Sequence, residues 1–93
     1  MALNFEWDEQ KARANLKKHN VSFTEAATVF NDPFCITLED EAHSTEEYRF
    51  LAIGYSAVQR LLLVVHTERE NSIRIISARL ATKSERRLYE QSI

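Results

Sequence analysis

Two runs decide the fold: Arg60-Leu61-Leu62-Leu63-Val64-Val65-His66-Thr67, then, after the polar residues 68–72, Ile73-Arg74-Ile75-Ile76-Ser77-Ala78-Arg79. The first is apolar on both faces, as a strand in the middle of a sheet is, and the polar residues turn the chain into the second. In that second strand Ile73, Ile75, Ser77 and Arg79 share one face while Arg74, Ile76 and Ala78 share the other. Arg74 and Arg79 therefore point to opposite faces unless a bulge intervenes. Working outward, Tyr48 to Tyr55 reads as a strand joined by the turn Ser56–Gln59, and the three make an antiparallel meander. Gly54, the only glycine, marks a bulge or bend near the end of its strand. Before the meander, Phe34, Ile36 and Leu38 alternate with Cys35, Thr37 and Glu39 as a further strand, and the acidic and polar stretch to Glu47 is a loop.

The N-terminal third carries helix signals. Leu3 to Trp7 alternates as a half-buried strand, and Asp8 is an N-cap for a helix over 9–19 with Lys17, Lys18 and His19 at its negative end. Asn20 suits the left-handed residue that closes a helix. Ser22-Phe23-Thr24-Glu25 is a capping box, with Val21 and Ala26 as its hydrophobic staple, and Asn31-Asp32-Pro33 stops the second helix. Thr82 and Glu85 repeat the capping box and open a helix over 83–91 anchored by Leu88. The order reads β-α-α-β-β-β-α. This is an α+β domain whose four-stranded, mainly antiparallel sheet has helices on one face and leaves the other open for a partner.

At 93 residues and 10.8 kDa the chain holds one domain, residues 1–93. Its longest apolar run, Leu61 to Val65, is far short of a membrane span, so a cytoplasmic protein is expected. Cys35 is alone and sits in an apolar run, which favours a buried thiol over a nucleophile. The net charge of −2 conceals a split: residues 1–47 hold ten acids and four bases, residues 48–93 eight bases and four acids. Seven of those eight bases are arginine, whose fork suits phosphate, although ion pairing with the acidic half accounts for them equally well.

His19, His43 and His66 lack the spacing of a metal site, and there is no phosphate-binding glycine loop or nucleophile elbow. No metal or cofactor is expected. RNA cleavage without metal needs only a base for a 2′-hydroxyl, an acid for the leaving oxygen and fixed positive charge at the phosphate. His43 and Glu47, just before a strand, supply titratable groups. Arg60 begins the central strand and Arg79 ends the last, where neighbouring strands could bring them to one edge. Trp7 is a core anchor or a platform for an RNA base.

The ordered words of the chain carry more than its statistics. Phe5-Glu6-Trp7-Asp8, Lys18-His19-Asn20-Val21-Ser22-Phe23, Val29-Phe30-Asn31-Asp32-Pro33, His43-Ser44, Glu47, Arg49, Ile53-Gly54, Arg60 and Ile73 to Arg79 together resemble the BrnT-type toxins from residue 5 to residue 90. Two positions depart: Asn20 and Gln59 stand where glycine is usual, the second in the turn that presents Arg60. The resemblance implies a RelE-like fold and a ribonuclease toxin of a type II toxin–antitoxin pair that blocks translation. It also implies a BrnA-like DNA-binding antitoxin in a complex with two copies of each chain, which alone would bring operator DNA. The site expected from residues and resemblance together has Arg60 and Arg79 on the pentavalent phosphate, His43 or Glu47 moving the proton and Trp7 supporting RNA. Lys17, Lys18, Arg69 and Arg74 add phosphate affinity. The alternative is a non-catalytic module that only engages an antitoxin.

Overall fold

The structure is a computed structural model that describes residues 4–40 and 48–93. Its elements are β1 (Asn4–Glu6), α1 (Glu9–His19), α2 (Phe23–Thr28) running into a 3-10 turn at Val29–Asn31, β2 (Ile36–Glu39), β3 (Phe50–Tyr55), β4 (Leu61–Arg69), β5 (Ser72–Leu80) and α3 (Lys83–Gln91). The sheet has five strands rather than four, in the order β1-β5-β4-β3-β2. It is mixed, because β1 runs parallel to β5, Asn4 opposite Ser72 and Glu6 opposite Arg74. Each strand has its own strand-like segment in the sequence, alternating or, for β4, apolar on both faces. What periodicity cannot carry is the pairing of segments some 68 residues apart, and the condensed order lost one strand.

The local signals act as their chemistry requires. Asp8 accepts from the backbone N–H of Gln10, Thr82 forms the full capping box with Glu85, and Asn20 closes α1 at φ 57°. Ser22 caps α2 through the Glu25 N–H, but the Glu25 carboxylate is directed elsewhere. Val21 and Ala26 are both fully buried, as a staple requires.

Helices lie on both faces, which corrects the one-sided arrangement. Residues directly opposite in a ladder share a face. Leu62, Val64 and His66 of β4 therefore lie with Ala52, Gly54 and Phe50 of β3 and with Ala78 and Ile75 of β5. Onto that face α1 and α2 pack Val21, Phe23, Ala26 and Val29. The opposite face holds Leu61 and Leu63 with Ile53, and α3 covers one end of it through Tyr89, which is 3% exposed. Leu88, the expected anchor, is 44% exposed; the larger aromatic one position on takes the buried side.

Both outer strands are short, so two inner strands have uncovered stretches, and each is met by a polar side chain. Beyond Arg74, where β1 ends, Asn15 of α1 donates to the Ala78 carbonyl at 2.9 Å and accepts from the Ala78 N–H at 3.1 Å. Beyond Ile53, where β2 ends, Asp32 accepts from the Tyr55 N–H at 2.8 Å. Gly54 is part of a regular strand and neither a bulge nor a bend. A Cβ there would stand 3.0 Å from Val29 Cγ1 and 3.2 Å from Asp32 Oδ2, so the glycine serves close approach of the 3-10 turn to β3.

Candidate functional site

Arg60 and Arg79 lie near the same end of the sheet but on opposite faces, each bound to the glutamate at the third position of a helix. The turn Ser56–Arg60 presents Arg60 with Gln59 at φ 67°, a left-handed backbone that glycine would adopt with less strain. Its guanidinium donates to both oxygens of Glu25 on α2 and to the Asn20 carbonyl. That hydrogen-bonded pairing holds the Glu25 carboxyl below its ordinary value and raises Arg60 further. On the other face Arg79 makes a two-pronged pair with Glu85 of α3, at 2.8 and 2.9 Å, with Glu85 lowered for the same reason. The two capping-box patterns in the sequence thus end in two arginine clamps. The structure does not bring Arg60 and Arg79 together.

A bulge forms a different group. Val65 stands opposite Ser77 and His66 opposite Ile75, which leaves Ile76 as an extra residue in β5. One extra residue reverses the alternation beyond it. Arg74, opposite Thr67, consequently shares a face with Ser77, opposite Val65, and Arg79, opposite Leu63. Arg69, opposite Ser72, joins them, loosely paired with Glu6 at 3.4 Å with both side chains about half exposed. The Arg74 guanidinium makes no hydrogen bond or ion pair among the described residues, so its charge is available. The Oγ1 of its neighbour Thr67 is buried without a hydrogen-bond partner. From Thr67 to Leu63 along β4 the row extends about 13 Å.

His43 and Glu47 lie outside the described residues. The residues that flank their segment, Asp40 and Arg49, are joined by a 2.8 Å hydrogen bond at the sheet end that holds Phe50, His66 and Thr67, the end of Arg74 rather than of Arg60. Trp7 belongs to the face covered by α1 and α2: its indole N–H donates to Glu9 and its ring meets Phe23 edge-on at 5.9 Å. Of the two lysines, Lys18 lines a groove of ≈ 220 Å³ between α1 and β5, and Lys17 does not.

His66 is fully buried between Phe30 and Phe50, ring centroids 4.9 and 5.8 Å away. Burial lowers its pKa, only partly opposed by the Val64 carbonyl and Glu68, so it is a neutral core residue. Burial, aided by Asp32, pushes the Cys35 thiol up to about 11, which leaves no thiolate for nucleophilic chemistry. Burial also raises Asp32, but the N–H groups of Tyr55 and Phe34 and the Tyr89 hydroxyl outweigh it and hold the carboxyl below its usual value. Among the described residues no cluster of histidine, cysteine and carboxylate side chains is arranged to hold a metal ion. No described helix is long and apolar enough to cross a membrane. The sequence leaves room for a bulge between Arg74 and Arg79 without placing it at Ile76, and no local spacing marks the Tyr89–Asp32 bond.

No match is found among curated proteins. Among solved structures the chain is similar to the crystal structure of the Brucella abortus ribonuclease toxin BrnT, with a TM-score of 0.66 and 21% identity over 88% of this chain and 100% of that one. That likeness shows a shared fold. A family model described as the ribonuclease toxin BrnT of type II toxin–antitoxin systems matches residues 7–85, nearly the whole chain including both arginine clamps and the bulged strand. This chain belongs to the BrnT family of ribonuclease toxins.

Proposed function

We propose that the protein is a metal-independent endoribonuclease toxin that cuts RNA on the face carrying Arg69, Arg74 and Arg79 and thereby halts translation in the cytoplasm. The observation that carries this reading is the Ile76 bulge, which gathers three arginines on one face and leaves Arg74 uncommitted. In this reading Arg74 holds the scissile phosphate, with Arg79 completing the positive field from its clamp. His43 or Glu47 removes the proton of the 2′-hydroxyl, whose oxygen attacks the phosphorus. The 5′-oxygen leaves with a proton from the other group, giving a 2′,3′-cyclic phosphate and a 5′-hydroxyl. Arg60 is assigned to the fold through Glu25, and Trp7 to the seam between α1 and α2. The fold is taken as RelE-like. A BrnA-like antitoxin, two copies with two toxins, is the inhibitory partner and the only route to operator DNA.

The test is cleavage of end-labelled RNA by the purified chain. Arg74→Ala should slow it 100- to 1,000-fold, the usual loss for one transition-state donor, with an unchanged melting temperature. Arg60→Ala should lower the melting temperature, with activity tracking the folded fraction. A fully folded Arg60→Ala protein without activity would return Arg60 to the phosphate. The saturation of Arg60 and Arg79 by glutamates favours a second reading, a module that binds the antitoxin without cutting RNA. Intact RNA at high enzyme concentration alongside tight antitoxin binding would establish it.

A further inference from the structure

The groove between α1 and β5 is not used by the cleavage site. It is lined by Lys11, Ala14, Asn15, Lys18, His19, Ile76 and Ser77, and no carboxylate is among them. The ammonium groups of Lys11 and Lys18 have no ion-pair or hydrogen-bond partner among the described residues. They are seven residues apart on one helix, about 10 Å along its axis, with Asn15 between them. Asn15 is engaged with both polar groups of Ala78 and with the Val21 carbonyl, so the floor is neutral and fixed.

The groove meets the arginine face at one residue. Ser77, which lines it, stands between Arg74 and Arg79 on that face, and Ile76 is the bulged residue itself. β1 stops opposite Arg74, so no strand blocks the way over the β5 edge at this point. We propose that this groove is a phosphate subsite for the RNA strand: a strand lying across Arg74 and Arg79 passes over the β5 edge at the bulge, and Lys11 and Lys18 neutralise its backbone. The inference rests on the nuclease reading. An extended polyanion fits better than a protein segment, because a groove edged by two lysines and a histidine, with Ile76 its only large apolar side chain, offers little for a protein to anchor on.

The experiment measures binding of a fully 2′-O-methylated single-stranded RNA, which cannot be cut, across a salt series. Each phosphate contact to a single strand contributes about 0.7 to the slope of log affinity against log salt. Lys11→Gln/Lys18→Gln should make the slope shallower by about 1.4, while Lys83→Gln/Arg87→Gln, equal in charge but on α3 outside the groove, should leave it nearly unchanged. All four side chains are on the surface of helices, and matching melting temperatures would show that the variants fold. An unchanged slope in the first pair, or equal losses in both, overturns the subsite while cleavage by the wild type leaves the nuclease reading standing. A wild-type chain that neither binds nor cuts RNA overturns both. If only an acidic antitoxin segment loses affinity for Lys11→Gln/Lys18→Gln, the groove belongs to the partner and the subsite falls.

Discussion

The two uncovered stretches of the sheet use different chemistry for the same task. At β5, Asn15 both donates to and accepts from Ala78, standing in for one residue of a missing strand. At β3, Asp32 only accepts, from the N–H groups of Tyr55 and Phe34 and from the hydroxyl of Tyr89. The difference follows from what must be satisfied: a carbonyl together with an N–H calls for an amide, whereas three converging donors call for an anion. The amide edge is indifferent to pH and the anionic edge is not. Asp32 also reaches round the sheet to hold α3, so one carboxylate ties both layers.

Exchanging the two chemistries should break the comparison most severely at the first edge. Asn15→Asp places a carboxylate against the carbonyls of Ala78 and Val21 in a buried site, and should cost about 3 kcal/mol or more at pH 7. Denaturant titration would measure it, and part of the loss should return in acid, where the protonated side chain donates once. Asp32→Asn keeps an acceptor and should cost less, about 1 to 2 kcal/mol. A loss at the second edge equal to the first would mean the two are not chemically distinct.

The pH profile sharpens the same contrast. Asp32, Glu25 and Glu85 are lowered from carboxylate values near 4, so their stabilisation is full above that value and disappears as pH falls through the folded pKa values. His66 is lowered from 6.5, so the unfolded chain binds the proton first and stability should already decline below pH 6.5. His66→Phe should flatten the decline that begins below pH 6.5 and leave the acid limb, while Asp32→Asn should make the acid limb alone shallower. Chemical denaturation at half-unit pH steps would separate them. The smallest effect is expected at the turn before β4: Gln59→Gly should change stability by no more than about 1 kcal/mol, in the favourable direction, by relieving a left-handed backbone.

The legible parts of this molecule were local. Asp8, Ser22 and Thr82 announced three helix starts, Asn20 announced a left-handed close, and the alternation of 34–39, 48–55 and 73–79 announced strands, because caps and period depend on residues only a few positions apart. The sheet edge at β1, the side chosen by α3 and the partner of Tyr89 depend on contacts between residues 31 to 68 positions apart, and no spacing rule encodes them. For the candidate site the arginines were identifiable as a class, yet their grouping was not. Arg60 and Arg79 were paired by position along strands, whereas their faces and their glutamates separate them. One extra residue in β5 decided which arginine joined which.

The parallel pairing of β1 with β5 has a consequence for synthesis. Asn4 emerges from the ribosome long before its neighbour Ser72, and the hairpin that anchors it needs the residues up to Leu80. Until then the first helices have no sheet to rest on, and the arginine row does not exist. The parallel edge and the row of arginines on the opposite face of β5 therefore form together, late, once Leu80 has followed Ser72 out of the ribosome.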